Sequence, residues 1–177
     1  TYLTAVAATH GDAVLEDFPM RELDSVIRVL RKTGCKIETI DNNVRVYCKK
    51  RLQPIELIKT QPYPGFPTDM QSQMMTVLCL ADGKSTIIEE IFESRYQNVN
   101  ELRKMGAKIS LETAENKAMI TGVNRLHGAV VKSHDLRGGA ALVVAGLAAE
   151  GTTIVQGATS IERGYEDICR DLSALGA

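Results

Sequence analysis

Glycine residues recur at two nearly constant intervals along the chain, and this regularity limits the possible folds more than any single motif does. One set of three glycines is spaced by 72 and 68 positions, and a second set is spaced by 72 and 70. Two independent landmarks with almost the same period indicate an internal repeat. The first set is Gly11, Gly83 and Gly151, and the second set is Gly34, Gly106 and Gly176.

Each repeat carries the same succession of local patterns. A helix is predicted before each glycine, because glycine is typical of the position just after a helix, where it adopts a left-handed conformation. In the first unit, apolar residues from Leu23 to Leu30 have the spacing of an amphipathic helix, and residues 36–40 and 44–48 predict a hairpin. Further segments are a second hairpin at 108–112 and 118–121, strands at 55–59 and 129–132, and a helix over 161–175.

These patterns predict an α/β (α+β) fold made from three βαβαββ-like units, at about 1–60, 61–133 and 134–177. The first two units continue from their second helix into strands, whereas the third stops at that helix and is predicted to be incomplete. We expect the chain to be one domain and a piece of a longer protein.

Composition disfavours several classes of function. The chain is 44% hydrophobic and 24% charged, which predicts a globular protein, and its net charge of -1 gives no general attraction for nucleic acid or an anionic membrane. The longest apolar run is about half a membrane span and no signal peptide opens the chain, so a cytoplasmic location is predicted. The cysteines form no CxxC pair, so free thiols are expected at Cys35, Cys48, Cys79 and Cys169.

Three of the five prolines, Pro62, Pro64 and Pro67, lie within six positions, and the last two belong to the motif PGFPTDMQ. Proline lacks an N–H donor and constrains the residue before it, so this segment is predicted to be a shaped loop. The residues from Met70 to Ala81 predict a helix, with Pro67 near its first turn and Asp69 at its positive end. Asp69, whose counterpart one unit later is Asp135, is therefore either a helix cap or a general base.

Arginines occur at matching positions of the repeat. Arg95 follows Gly83 by 12 residues, and Arg163 follows Gly151 by 12 residues. Arg137 in HDLRGG takes the place of PGFPTDMQ one unit later. Converging guanidinium groups bind carboxylate or phosphate, and Gly138 and Gly139 would let a ligand approach the backbone. The alternative is that the arginines are solvated loop residues.

Four motifs, PGFPTDMQ, IFESRY, HDLRGGAALVVAGLAAEGTT and IERGYE, together resemble the UDP-N-acetylglucosamine 1-carboxyvinyltransferases, the enolpyruvyl transferases of bacterial peptidoglycan synthesis. The similarity covers essentially the whole chain. It implies a two-domain enzyme of inside-out α/β barrels, each made from three βαβαββ units, with this chain as the larger part of one domain. That family transfers the enolpyruvyl group of phosphoenolpyruvate to the 3′-hydroxyl of UDP-N-acetylglucosamine, without a cofactor, and releases phosphate.

The resemblance also implies roles for individual residues. Asp69 corresponds to the general base that contacts the sugar hydroxyl, and Ile91 corresponds to a backbone contact with the same substrate. Arg95, Arg137 and Arg163 correspond to the arginines that surround phosphoenolpyruvate. The implied partners are the two substrates and the second domain of the same enzyme.

The chain departs from the family motifs at three positions, where Ser94, Asn98 and Gly138 replace the expected Asn, His and Ala. None of these changes removes a carboxylate or a guanidinium group. The catalytic cysteine loop of the family, its uridine-binding segments and its N-terminal Lys-Asn pair have no match here. We therefore expect them outside this chain, and we expect the chain alone to be inactive.

Two alternative functions remain. The enolpyruvyl transferase of the shikimate pathway has the same fold and chemistry with a different acceptor, but PGFPTDMQ and DLRGGAAL disfavour it. A non-catalytic repeat module that binds an anionic ligand or a protein partner is the other alternative.

Overall fold

The computed structural model describes residues 1–177 and contains seven α-helices. They are α1 (Tyr2–Ala8), α2 (Asp24–Lys32), α3 (Gln71–Cys79), α4 (Val99–Lys104), α5 (Leu136–Ala148), α6 (Thr159–Glu162) and α7 (Ile168–Ala174). The longest helix, α5, has 13 residues, and none of the helices is long and apolar enough to cross a membrane.

Eleven strands, most of them short, lie between the helices. They are β1 (Asp12–Leu15), β2 (Lys36–Ile40), β3 (Asn43–Tyr47), β4 (Ile58–Lys59), β5 (Lys84–Ile88), β6 (Lys108–Glu112), β7 (Lys117–Thr121), β8 (Leu126–His127), β9 (Val130–Lys132), β10 (Ala149–Glu150) and β11 (Ile154–Gln156). Two 3-10 turns, Thr68–Met70 and Thr113–Glu115, precede α3 and β7.

The helices α1, α3 and α5, one from each repeat unit, pack against one another in the core. All nine residues of α3 are buried, as are residues 3–8 in α1 and most of α5. The apolar run ALVVAGLA in α5 is typical of a helix with little exposed surface, whereas α3 also buries polar residues such as Gln71 and Gln73. This packing fixes the N-terminal ends of α3 and α5, where Asp69 and Arg137 lie.

The strands form four separate sheets. The first has the antiparallel order β1-β3-β2, and the second has the order β4-β5-β7-β6, in which only β4 and β5 are parallel. The pairs β8–β10 and β9–β11 are parallel. The predicted mixed α/β class is confirmed, whereas no closed barrel forms and the three-unit inside-out barrel stays a prediction.

Parallel pairing joins each repeat unit to the next. Ile58 of β4 pairs with Ile87 of β5, and Val131 of β9 pairs with Val155 of β11. The strand β1 has no such partner on its outer edge, where Val14 is 47% exposed. Its backbone N–H and C=O groups are therefore free to pair with another strand.

The local predictions succeed at the hairpins and fail in the third unit. Both hairpins match their predicted limits to within one residue, but the predicted strand 55–59 is reduced to β4. The single helix predicted over 161–175 is wrong, because the chain breaks into α6 and α7. Gly164 packs against Leu136 in this break, and the Asp167 carboxylate caps α7 by accepting a bond from the Arg170 amide.

The repeat glycines take the predicted left-handed conformation in five of six cases, with φ between 89° and 148°. Gly11 is the exception, because His10 before it adopts the left-handed conformation with φ of 55°. His10, rather than the glycine, therefore occupies the position directly after Thr9, the C-cap residue of α1.

The expectation of four free thiols is wrong for one pair, because Cys35 and Cys48 form a disulfide with a Cα–Cα distance of 4.6 Å. The antiparallel register pairs Lys36 with Tyr47, so the cysteines that flank them face each other across the base of the hairpin. Their separation of 13 residues gives no sign of this pairing until the hairpin register is known.

Thiol labelling should distinguish the four cysteines. Cys169 is exposed, whereas burial raises the pKa of the Cys79 thiol to about 12 and keeps it from forming the reactive thiolate. We expect a maleimide at neutral pH to label one thiol in the native protein, two after denaturation, and four after denaturation with reductant, as measured by intact mass. Rapid native labelling of a second thiol would contradict this arrangement.

Candidate active site

The proline-rich segment is an ordered loop that places Asp69 at the start of α3. The Gln61 amide donates to the Phe66 carbonyl at 2.9 Å, so the loop closes on itself. The Phe66 side chain is buried and anchors the loop in the core. Asp69 follows in a 3-10 turn, and its side chain is 57% exposed. The loop thus presents a carboxylate to solvent from a fixed support.

Asp69 contacts two guanidinium groups that come from different repeat units. The Nε atom of Arg137 donates to Asp69 Oδ1 at 2.7 Å, and a terminal nitrogen of Arg95 lies 3.5 Å from the same oxygen. The hydrogen bond from Arg137 raises the pKa of this guanidinium group, since the carboxylate stabilises its charged form. Neither the 3-10 turn nor α3 has a side-chain cap at its N-terminus, so the arginines bind Asp69 in place of helix N–H groups.

Arg95 is held by the loop between β5 and α4. Its guanidinium group lies over the Phe92 ring, 4.4 Å from the centroid, and its side chain is 17% exposed. It borders a surface cleft of about 480 Å³ that Ile91 and Asp135 also line. Because Arg95 contacts both the cleft and Asp69, a molecule bound in the cleft would lie near this carboxylate.

Arg137 lies in the first turn of α5, directly after the residue that caps this helix. The Asp135 carboxylate accepts hydrogen bonds from the amides of Arg137 and Gly138, at 2.9 and 2.8 Å. Asp135 is therefore a helix cap. The two aspartates that the repeat aligns have different partners, because Asp69 binds side chains and Asp135 binds the backbone.

Arg163 lies on the loop after α6, where its side chain is exposed and forms no hydrogen bond or ion pair. The following residue, Gly164, packs so closely on Leu136 that a Cβ atom there would lie 2.6 Å from the leucine side chain. This loop therefore contacts the start of α5, next to Arg137, and leaves the Arg163 guanidinium group free.

Gly138 and Gly139 are both buried, which corrects the expectation that they open the backbone to a ligand. A Cβ atom on Gly139 would lie 2.2 Å from Ser133 and 2.6 Å from Ile161, so this glycine allows close packing against α6. A Cβ atom on Gly138 would lie 3.2 Å from Asn98. Two of the three departures from the family motifs, Asn98 and Gly138, are thus neighbours in space.

The structure brings Asp69, Arg95 and Arg137 together, places Ile91 on the adjoining cleft, and leaves Arg163 on a neighbouring loop. Sequence reasoning missed the aromatic support that Phe92 provides to Arg95; the signal for it was an aromatic residue three positions before the arginine. No three histidine, cysteine, aspartate or glutamate side chains lie close enough together to bind a metal ion.

Comparison with known proteins identifies the family. A family model described as EPSP synthase (3-phosphoshikimate 1-carboxyvinyltransferase) matches residues 1–172. The UDP-N-acetylglucosamine 1-carboxyvinyltransferase of Desulfofundulus thermocisternus is 49% identical over 177 residues, which are 100% of this chain and 72% of that protein. The chain belongs to the enolpyruvyl transferase (1-carboxyvinyltransferase) family. This assignment confirms the resemblance carried by the four motifs.

Other enolpyruvyl transferases match the whole chain but are longer. The chain is 48% identical to the UDP-N-acetylglucosamine 1-carboxyvinyltransferase of Pseudothermotoga lettingae and spans 42% of its length. The solved enolpyruvyl transferase NikO from Streptomyces tendae has a TM-score of 0.87 at 23% identity, over 99% of this chain and 42% of that one. An EPSP synthase from Acinetobacter baumannii has a TM-score of 0.75 at 19% identity, over 98% and 43%. These two structures support the fold.

Proposed function

We propose that the intact polypeptide carrying this chain transfers the enolpyruvyl group of phosphoenolpyruvate to the 3′-hydroxyl of UDP-N-acetylglucosamine. The hydroxyl oxygen forms a bond to C2 of the enolpyruvyl group, the bond from C2 to the phosphate oxygen breaks, and the hydroxyl proton passes to a base. Inorganic phosphate leaves. The observation that carries this proposal is the Asp69 carboxylate, which lies between the guanidinium groups of Arg95 and Arg137.

In this proposal the arginines bind the anionic substrate, since a guanidinium group forms paired hydrogen bonds with carboxylate or phosphate. Without substrate, Asp69 occupies Arg137. A substrate anion would compete for this guanidinium group, and the displaced Asp69 carboxylate could then accept the proton of the acceptor hydroxyl. Arg163, whose guanidinium group has no other partner, would complete the anion site, and the Ile91 backbone would contact the acceptor.

We propose further that the chain supplies one wall of a two-domain enzyme. Two of the enolpyruvyl transferases named above extend well beyond the matched region, since the chain spans 42% of the length of each. A second domain with the catalytic cysteine loop and uridine-binding segments would close over the Asp69 site. Both domains would be three-unit inside-out barrels, and the enzyme would act in the cytoplasm in peptidoglycan synthesis.

A shikimate-pathway enolpyruvyl transferase is the second candidate, which the description of the matching family model supports. The identities of 48% and 49% to relatives named for UDP-N-acetylglucosamine favour the nucleotide sugar over shikimate 3-phosphate. A non-catalytic anion-binding module is a weaker candidate, because simple anion binding gives no role to a carboxylate that competes for the same arginines.

Acceptor choice tests the proposal. We expect the intact polypeptide to release phosphate from phosphoenolpyruvate at least about a hundredfold faster with UDP-N-acetylglucosamine than with shikimate 3-phosphate, since the wrong acceptor leaves buried polar groups unpaired. A phosphate assay with mass detection of the enolpyruvyl product measures this. A preference for shikimate 3-phosphate would support the shikimate-pathway candidate. If no phosphate were released with either acceptor, the proposal that the polypeptide is an enolpyruvyl transferase would be contradicted.

A further inference from the structure

A buried carboxylate outside the arginine cluster connects the two segments that form it. Glu89 directly follows β5 and is 2% exposed. Its Oε1 atom accepts hydrogen bonds from the Thr60 hydroxyl at 2.8 Å and from the amides of Ile91 and Phe92 at 2.9 and 3.1 Å. Its Oε2 atom accepts one from the Thr68 hydroxyl at 2.9 Å.

These bonds join the Asp69 turn to the Arg95 loop. Thr68 is the residue before Asp69 in the 3-10 turn, so one oxygen of Glu89 holds the turn that carries the proposed base. The other oxygen holds the amide of Phe92, whose ring lies under the Arg95 guanidinium group. Because one side chain binds both segments, Glu89 thereby sets the distance between them.

The partners of Glu89 are neutral, which is unusual for a buried charge. Two hydroxyl groups and two amides donate to it, and no arginine or lysine forms an ion pair with it. A carboxylate removed from water needs its hydrogen bonds satisfied, and bonds to a charged acceptor are stronger and shorter than bonds to a neutral one. Burying this carboxylate therefore costs desolvation free energy. Its hydrogen bonds offset that cost and connect the two loops tightly.

The far end of the Arg95 loop is anchored independently. The Tyr96 hydroxyl lies 3.0 Å from the carbonyl oxygens of both Ile87 and Asn116 and shares its one proton between them. The Asn116 side chain donates to the carbonyls of Glu89 and Phe92. Burial, followed by the Glu89 charge, raises the pKa of Tyr96 to about 12. The far end of the loop thus has hydrogen bonds of its own, whereas only the Glu89 carboxylate links the start of the loop to Thr68.

We propose that Glu89 is a positioning residue, which holds the Asp69 turn against the Arg95 loop so that base and anion site keep a fixed separation. This inference rests on the proposed function, because Asp69 is the group through which Glu89 acts. Glu89 itself is buried away from the cleft surface and would act through Asp69 rather than on a substrate. Its removal should disturb the alignment of Asp69 more than the binding of the anion.

Matched variants of the intact polypeptide test this role. Thr68→Val keeps the side-chain shape and removes only the bond to Glu89 Oε2, so we expect kcat to fall about tenfold, with less change in KM, because small misplacements of a catalytic group are costly. Glu89→Ala should lower kcat at least as far. Glu89→Gln should restore most of it, because its oxygen can accept the bonds of Oε1 while its amide donates to the Thr68 hydroxyl. The control is Glu90→Gln, which changes an exposed neighbour paired with Lys59.

A double-mutant cycle separates positioning from general stability. If Glu89 acts through Asp69, Thr68→Val should have no further effect on kcat in the Asp69→Asn background. The proposal would be overturned if the separate losses of kcat from Thr68→Val and Asp69→Asn multiplied in the double variant. Parental kcat in both Thr68→Val and Glu89→Ala would also overturn it.

Amide hydrogen exchange tests the connection without relying on activity. Glu89→Ala should reduce the protection of the Ile91 and Phe92 amides, and Glu89→Gln should retain it. Unchanged protection in Glu89→Ala would overturn the proposal even in an active enzyme. An inactive parent with the expected loss of protection would instead support the connection and contradict the proposed function, so the two failures are distinguishable.

Discussion

Replacing Asp69 with asparagine in the intact polypeptide is expected to lower kcat about a hundredfold or more while substrate binding persists. Asparagine preserves the shape of the side chain but cannot accept the hydroxyl proton. It also removes the negative charge that competes for Arg137, so KM for phosphoenolpyruvate should stay level or fall. Steady-state phosphate release at varied substrate concentrations measures both constants.

Asp82→Asn is the matched control for this prediction. It makes the same chemical change at an exposed aspartate that pairs with Arg51 at 3.4 Å, outside the arginine cluster. We expect parental kcat in this variant. If Asp69→Asn also kept nearly parental kcat and lost only thermal stability, Asp69 would be a structural ion-pair partner of Arg137, and the proposed base would have to be another group.

The 177-residue chain by itself is expected to release no phosphate from phosphoenolpyruvate, with or without UDP-N-acetylglucosamine. The Asp69 site is open to solvent on one side. Enolpyruvyl transfer needs a second domain to close over this side, so that both substrates are aligned and water is excluded. We expect activity to return when the separately expressed remainder of the polypeptide is added. Phosphate release by the purified chain alone would contradict the two-domain proposal.

The isolated chain should also associate with itself or with the remainder. The free edge of β1 borders an apolar groove of about 710 Å³, which α7 flanks and which Tyr2, Leu15 and Phe18 help to line. Unpaired strand edges and exposed apolar surface favour pairing with another chain. Sedimentation should show oligomers of the isolated chain that grow with its concentration. These oligomers should dissociate when the remainder of the polypeptide is added. A stable monomer at high concentration would indicate that this edge needs no partner.

The sequence determined the features that depend on neighbouring residues. Glycine spacing predicted the order of elements because each left-handed turn after a helix is a local requirement, and five of those six glycines have the expected φ. The hairpins followed from turn residues between alternating strands, and the loop at PGFPTDMQ followed from the fixed φ of proline. The family could be recognised because four motifs occur in order.

Only the tertiary structure decided which distant side chains meet. Asp69 and Arg137 are 68 residues apart, and their contact depends on how α3 and α5 pack in the core. The same packing made Asp135 a cap and Asp69 an arginine partner, although the repeat aligns them. It also buried Glu89 and left the adjacent Glu90 exposed. Sequence spacing fixes the backbone course of each unit, whereas burial and charge pairing are set by surfaces that different units present to one another.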